Sequence, residues 1–203
     1  MHLLLVRHAL PLASVDGAVA DPQLSEMGTE MAGRLPDALR RHQVTRIVSS
    51  PQRRARQTAQ PVAEACNLPI DIDERLAEYD YGLPEYIPVE QMRAENPDKL
   101  ARLVDGHLPD GVDVEAFKAR VFAAVDEIAS TAARDDSVAV FSHGGVINVL
   151  LQRALDTPRL FPFRMDYVSI THLRFSAESR PIVVGVNNIE HVWDLLPRLS
   201  KPR

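Results

Sequence analysis

Three apolar segments of this chain each end in basic side chains. The basic residues are Arg7 and His8 after the first segment, Arg53 and Arg54 after the second, and His143 after the third. In open α/β sheets, the carboxyl ends of the strands face the crevice that binds ligands. Guanidinium and imidazole groups that meet in one crevice suit a polyanion, and the simplest such group is a phosphoryl group. The pattern therefore predicts a phosphate-binding site.

The elements that must position these residues alternate between strands and helices. Strands are predicted at residues 3–6, 46–49, 70–72, 137–141, 168–175 and 182–186, and helices at residues 25–42, 51–65, 113–132 and 144–154. The first, second and fourth strands are largely apolar, which is typical of a sheet buried on both faces. We therefore expect an α/β fold, a three-layer α/β/α sandwich with a mostly parallel central sheet.

Individual residues indicate where some of the helices begin or bend. Ser25 is of a type that caps helix N-termini, so it is expected to precede the first helix. Pro36 lies inside that helical pattern and predicts a kink or a break. Pro51 is expected to occupy the first turn of the second helix, where its missing N–H is not needed.

Residues 79–111 interrupt the alternation of strands and helices. This stretch contains Pro84, Pro88, Pro97 and Pro109 and a short amphipathic segment at residues 89–104. We expect it to form an inserted, mostly helical lid over the strand ends. The lid is expected to belong to a single domain that spans residues 1–203.

Composition places the chain among globular proteins. Its 203 residues are 45% hydrophobic and 25% charged, and the net charge of −5 argues against nucleic acid or an acidic membrane as the main partner. The single cysteine, Cys66, cannot form an internal disulfide, and no Cys/His spacing indicates structural zinc. Because no apolar run resembles a secretory signal or a membrane span, we expect a cytoplasmic protein. The oligomeric state stays open, with a homodimer as one option.

Five sequence blocks together resemble one known family. They are LVRHA at 5–9, DPQLSEMG at 21–28, SSPQRRARQTA at 49–59, LAEYDYG at 76–82 and FSHGG at 141–145. Their order and spacing resemble the histidine phosphatase superfamily, also called the phosphoglycerate mutase-like family. Ala9 stands where the family usually has glycine, and Ser14 stands where its mutases carry asparagine. The second departure favours the phosphatase branch.

The resemblance implies a role for five residues. His8 would be the nucleophile that forms a phosphohistidine, and Glu78 would be the general acid that protonates the leaving alcohol. The phosphoryl oxygens would be held by Arg7, Arg54 and His143. Asp80 and Glu85 are the alternative acids, and Arg53 and Arg56 compete with Arg54 for its role.

The substrate side of the site is expected to include further residues. Gly144 and Gly145 follow His143 at a predicted helix N-terminus, so their amides are expected to face the anion. The other residues predicted on the substrate side are Ser14, Tyr81 and Glu85. No cofactor and no metal ion is expected.

Three functions remain open from the sequence. The leading one is a phosphomonoesterase that acts on a small-molecule or peptide-borne phosphate ester. The second is a mutase, which must keep its phosphoryl group until a reoriented substrate takes it back. The third is a non-catalytic phosphate-binding module, since a fold alone does not dictate function.

Overall fold

Six strands form one sheet in the part of the chain that the structure describes. They are β1 (His2–Arg7), β2 (Arg46–Ser49), β3 (Ile70–Ile72), β4 (Ser137–Ser142), β5 (Ile170–Ser176) and β6 (Ser179–Asn188). The order across the sheet is β3-β2-β4-β1-β5-β6. The four strands β3, β2, β4 and β1 are parallel, and β5 runs antiparallel to both β1 and β6. The expected mostly parallel sheet is therefore confirmed.

The computed structural model describes residues 1–12, 20–82, 87, 89–176 and 179–197, with only the backbone described at 89–90 and 179–180. Ser14 and Glu85, both predicted on the substrate side, lie outside the described residues and stay predictions.

Helices cover both faces of the sheet. Their bounds are α1 (Glu26–Gly33), α2 (Leu35–Leu39), α3 (Arg53–Cys66), α4 (Val89–Glu95), α5 (Pro97–Val104), α6 (Val114–Thr131) and α7 (Gly144–Leu155). Among the described residues, none of the helices has the length and apolar character needed to cross a membrane.

Side chains along β1 alternate between two hydrophobic cores. Leu3 and Leu5 join a core with α6 and α7, whereas Leu4 and Val6 join a core with α1, α2 and α3. All four side chains are fully buried. Because successive side chains of a strand point to opposite faces, this division builds the expected α/β/α sandwich.

The parallel register brings three strand ends to one edge of the sheet. Arg7 of β1 lies opposite Ser142 of β4, and β2 pairs with β4 on its other side. The backbone N–H of His8 donates to the carbonyl of Ser142 at 2.9 Å. His8 and His143 therefore follow neighbouring strands at the same level, and Ser50 follows β2 beside them.

The predicted helix over residues 25–42 is two helices. Ser25 caps α1 as expected, because its Oγ accepts from the Gly28 N–H at 3.0 Å. The chain then breaks at Arg34, and Pro36 lies in the first turn of α2. The break precedes the proline because proline is tolerated in a first turn but not further inside a helix.

Two further boundaries differ from the expectation. Helix α3 begins at Arg53 and not at Pro51, because the Asp21 carboxylate accepts from the Arg53 N–H at 2.9 and 3.0 Å and so caps the helix there. The segment 89–104 forms α4 and α5 instead of one helix. Pro97 separates them, since it begins α5 and disfavours a helical conformation at the residue before it.

We expect Gly28→Ala to destabilise the fold. The added Cβ would overlap the carbonyl oxygen of Leu10 and lie 3.0 Å from its carbonyl carbon. Because backbone atoms cannot rotate aside, the overpacking should cost about 1–3 kcal/mol of the free energy of unfolding. Gly33→Ala in the same helix is the matched control, since no described atom outside its own helix and neighbours lies within 4 Å of the added Cβ. Urea denaturation compares the two, and equal midpoints would contradict this packing.

Candidate active site

The imidazoles of His8 and His143 meet at the carboxyl edge of the sheet. Their ring centroids are 5.2 Å apart, and the ring planes are inclined by 56°. Both side chains are almost completely buried, at 2% and 0% exposure. The structure therefore brings the two predicted histidines into one place.

The tautomer of His8 follows from its hydrogen bond. Its Nδ1 lies 2.8 Å from the carbonyl oxygen of Ala9, and a carbonyl can only accept, so Nδ1 carries the ring hydrogen. The lone pair is then on Nε2. Burial, followed by the positive charges of Arg54 and Arg7, holds the pKa of His8 well below its ordinary value. His8 is consequently neutral at neutral pH.

The ring of His143 is positioned by a hydrogen bond to a hydroxyl group. Its Nε2 lies 2.7 Å from Ser50 Oγ, and its buried Nδ1 has no hydrogen-bond partner among the described residues. Burial, and then the charge of Arg54, lowers the pKa of His143 well below its ordinary value. Ser50, which lies within the sequence block at 49–59, is thus part of the site.

Arg7 lies beside the histidines and is held by two contacts. Its Nη1 donates to the carbonyl of Met165 at 2.5 Å, and its Cζ lies 4.1 Å from the centroid of the Tyr167 ring. A guanidinium stacked on an aromatic face loses less freedom when it binds a further group. Arg7 is therefore oriented before any ligand arrives.

Arg54 is the buried cation at the beginning of α3. Its side chain has 0% exposure, and its Nη atoms lie 3.3 Å from Asp80 and 3.8 Å from Asp21. A buried charge is tolerated only with partners of opposite sign, and these two carboxylates provide them. Of the three candidate arginines, Arg54 is the one that the structure places in the cleft, because Arg53 and Arg56 are exposed.

Glu78 is buried next to the N-terminus of α7. Its Oε2 accepts from the Gly145 N–H at 2.8 Å, and its Oε1 accepts from the Tyr79 N–H at 3.1 Å. Burial, and then the charge of Asp80, raises the pKa of Glu78 to about 7. The Gly145 amide was expected to face the anion, and this is wrong in the structure because it bonds the Glu78 carboxyl.

Two residues that the sequence did not single out hold the Glu78 segment. The side chain of Gln52 accepts from the Glu78 N–H at 2.8 Å and donates to Asp80 at 3.1 Å. Arg120 of α6 donates to three carbonyls of one short segment, those of Arg75, Ala77 and Glu78, at 2.6, 2.6 and 3.0 Å. Gln52 lies inside the 49–59 block, whereas nothing in the local sequence marks Arg120.

Arg7, His8, Arg54 and Glu78 form the floor of a cleft of about 360 Å³. Of the other predicted residues, Asp80, Gly144 and Gly145 also line it. His143 lies directly behind His8, as their ring contact indicates. Tyr81 does not line the cleft and is half exposed, so its place on the substrate side stays a prediction.

The sheet and its crevice define an α/β protein with arginine and histidine side chains at the carboxyl ends of its parallel strands. A family model described as histidine phosphatase superfamily (branch 1) matches residues 3–189. This match extends over nearly the whole chain. The chain therefore belongs to the histidine phosphatase superfamily.

Similar proteins include phosphatases and a probable mutase. The probable phosphoglycerate mutase GpmB of Yersinia pestis is 29% identical over 165 residues, which are 78% of this chain and 76% of that protein. The mycobacterial glucosyl-3-phosphoglycerate phosphatase is 28% identical with a TM-score of 0.77, over 92% of this chain and 98% of that one. It has also been solved with VO3 and with inorganic phosphate. A phosphoserine phosphatase of Entamoeba histolytica, 21% identical, shares the fold with a TM-score of 0.73 over 94% of this chain and 98% of its own.

We expect Gly145→Ala to displace the Glu78 carboxyl group. The added Cβ would overlap Glu78 Oε1 and lie 2.9 Å from its carboxyl carbon. The displaced group gains solvent, which removes the largest cause of the raised pKa and outweighs the loss of the Gly145 amide, which lowers it, so the pKa should fall from about 7 toward the ordinary 4.5. Carbon-13 NMR titration of the glutamate carboxyl groups measures this change.

Gly144→Ala is the matched control for this experiment. Its added Cβ would lie at an ordinary contact distance of 3.8 Å from Arg7 and Met165. Both substitutions replace glycine by alanine in the first turn of α7, so helix propensity changes in the same way. An unchanged Glu78 titration in Gly145→Ala would contradict the described contact.

Proposed function

We propose that this protein is a phosphomonoesterase that hydrolyses phosphate esters through a phosphohistidine on His8. The observation that carries the proposal is the neutral His8 ring, whose Nδ1 is bonded to a carbonyl and whose Nε2 holds the lone pair. Arg7 and Arg54 line the same cleft. Family membership supports the same chemistry, and the chain is proposed to act as one domain over residues 1–203 with residues 79–111 as its lid.

In the first step, the phosphoryl group of the ester is transferred to His8. The lone pair of His8 Nε2 attacks phosphorus, and the bond between phosphorus and the ester oxygen breaks with its electron pair going to oxygen. Glu78 gives its proton to this oxygen, so a neutral alcohol leaves. The pKa of about 7 keeps a large share of Glu78 protonated near neutral pH. The products are the alcohol, the phosphohistidine and the Glu78 carboxylate.

In the second step, water removes the phosphoryl group. The Glu78 carboxylate takes a proton from a water molecule whose oxygen attacks phosphorus. The bond between phosphorus and His8 Nε2 breaks, and its electron pair returns to the ring. Phosphate leaves, and His8 and Glu78 regain their starting protonation states. No step uses a metal ion or a cofactor.

Cationic and hydrogen-bonding groups offset the charge on the phosphoryl oxygens. The guanidinium groups of Arg7 and Arg54 carry fixed positive charge in a buried site, where electrostatic interactions are strong. The Ser50 hydroxyl accepts from the Gln52 N–H, and we propose that it donates its own hydrogen to His143 Nε2. His143 Nδ1 then carries the ring hydrogen and donates it to a phosphoryl oxygen. The Gly144 N–H is proposed as a further donor.

Replacing the nucleophile tests this proposal. His8→Asn should lower phosphate release from p-nitrophenyl phosphate by roughly 10⁴-fold or more, because no other group can accept the phosphoryl group. Labelled phosphate should be found on His8 of the parent protein after a quench in alkaline detergent, in which phosphohistidine is stable, and should be absent from the variant. His107→Asn, an exposed histidine outside the cleft, is the control. A normal rate in His8→Asn would exclude the mechanism.

The pH dependence tests the role of Glu78. For an alkyl phosphate, kcat/KM should fall above about pH 7, as the proton that Glu78 must donate is lost. Glu78→Gln should remove this alkaline limb and lower kcat/KM by about 10²–10⁴-fold. The substrate ionises equally in both assays, so the difference between the two profiles reports Glu78. An identical limb in Glu78→Gln would assign it to another group.

A mutase is the second candidate, because the relative from Yersinia pestis is named a probable phosphoglycerate mutase. A mutase must return the phosphoryl group of His8 to a reoriented substrate faster than water takes it. Incubation with 3-phosphoglycerate separates the two functions. Formation of 2-phosphoglycerate faster than release of phosphate would favour the mutase.

A further inference from the structure

The wall of the cleft above the floor is largely apolar. Side chains from the lid helices and from the segment before β5 form it, among them Met92, Leu100, Leu103, Phe161, Pro162 and Phe163. The cleft volume of about 360 Å³ lies in the range of small-molecule sites. A ligand whose phosphoryl group reaches the floor therefore places the rest of its body against hydrocarbon.

Besides its charged and tyrosine side chains, the described wall offers few polar partners for substrate hydroxyl groups. Asn148 is the single asparagine, glutamine, serine or threonine among the described lining residues. Its amide is already engaged, since Nδ2 donates to the carbonyls of Gly144 and Phe163 and Oδ1 accepts from the Phe163 N–H. A sugar ring against the apolar part of this wall would lose hydrogen bonds to water without replacing them, which is costly.

The charged residues at the rim do not form a buried second anion site. Arg164 is paired with Asp166 at 3.0 Å. Arg93 and Arg159 line the cleft but are exposed, so their guanidinium groups stay hydrated and attract an anion only weakly. A compact substrate with a second acidic group would therefore gain little beyond the phosphoryl contacts.

A second cavity lies next to the cleft. It has a volume of about 360 Å³ and shares Tyr79, Ile87, Met92 and Leu103 with the cleft, so both faces of these side chains border a cavity. Its remaining lining is mixed, with Leu108 and Pro109 beside Lys99, Arg102, His107 and Asp110. The apolar wall is therefore that of the cleft itself.

We propose that the substrate is a phosphomonoester whose alcohol carries an apolar body, either an aromatic ring or an alkyl chain, with few hydroxyl or acidic groups. This inference rests on the phosphatase activity proposed above and adds the substrate class. The phosphoryl group binds the charged floor, and the body displaces water from the wall formed by α4, α5 and the segment before β5. The driving force is the burial of apolar surface.

A series of straight-chain alkyl phosphates from ethyl to octyl tests this proposal. Every member releases a primary alcohol, so the chemistry of the leaving group is nearly constant and chain length changes only apolar contact. The value of kcat/KM should rise by about fourfold per methylene group until the cleft is filled. Glucose 6-phosphate and 3-phosphoglycerate, assayed in parallel, should be poorer substrates than octyl phosphate.

Met92→Gln tests the wall itself with a side chain of similar size. The buried amide should lower kcat/KM for octyl phosphate about tenfold more than for ethyl phosphate, because it is desolvated by the longer chain. Met27→Gln is the matched control, since Met27 is exposed on α1 and lies outside the cleft. It should leave both substrates unaffected.

The possible outcomes separate the substrate class from the activity. A flat dependence on chain length, or a preference for glucose 6-phosphate or 3-phosphoglycerate, would overturn the apolar substrate class while His8-dependent hydrolysis stands. An equal loss on both alkyl phosphates in Met92→Gln would also overturn it. Absence of turnover on every phosphomonoester by the folded protein would overturn the proposed function and this inference with it.

Discussion

The burial of the Arg54 guanidinium is the constraint on which the rest of the site depends. A cation with no exposed surface must be balanced, and its partners Asp80 and Asp21 come from segments far apart along the chain. Asp21 also caps α3, so one carboxylate sets both where the helix begins and what the arginine faces. Asp80 lies two residues after Glu78, at the start of the lid, so its ion pair with Arg54 also fixes the position of that segment. One buried cation thus joins the segment at residues 21–28, helix α3 and the entrance of the lid.

The same arrangement accounts for the unusual protonation of Glu78. Burial is the main cause of its raised pKa, and the negative charge of Asp80 adds to it. The amides of Gly145 and Tyr79 and the charge of Arg54 act in the opposite direction, which keeps the pKa near 7 instead of higher. A group poised near neutral pH can give a proton in one step and take one in the next. Burying an ionisable group in this way lowers the stability of the folded protein, a cost that is common at functional sites.

The strands and the residues at their ends could be predicted from the sequence, because they depend on neighbouring residues. Features that depend on contacts between distant residues could not. The apolar runs indicate the strands, and parallel strands end together, so Arg7, His8 and His143 could be placed at one edge from the sequence. The family blocks added Arg54 and Glu78. By contrast, Arg120 acts on carbonyls more than forty residues away, and no local pattern encodes such a contact. The sequence predicts the beginning of α3 at Pro51 instead of Arg53 for the same reason, because the carboxylate that caps the helix belongs to the distant residue Asp21.

The floor and the wall of the cleft are built by different means, and this division bears on function. The floor lies on strand ends and is fixed by buried charges. The wall comes from the lid helices α4 and α5 and from the segment before β5, which the sheet does not constrain. A mutase must hold the other anionic group of its substrate while the phosphoryl group returns from His8, and a cation buried in the wall would hold that group. The described wall has only exposed or paired arginines above Arg7 and Arg54. The balance of charge within the described cleft therefore supports transfer to water.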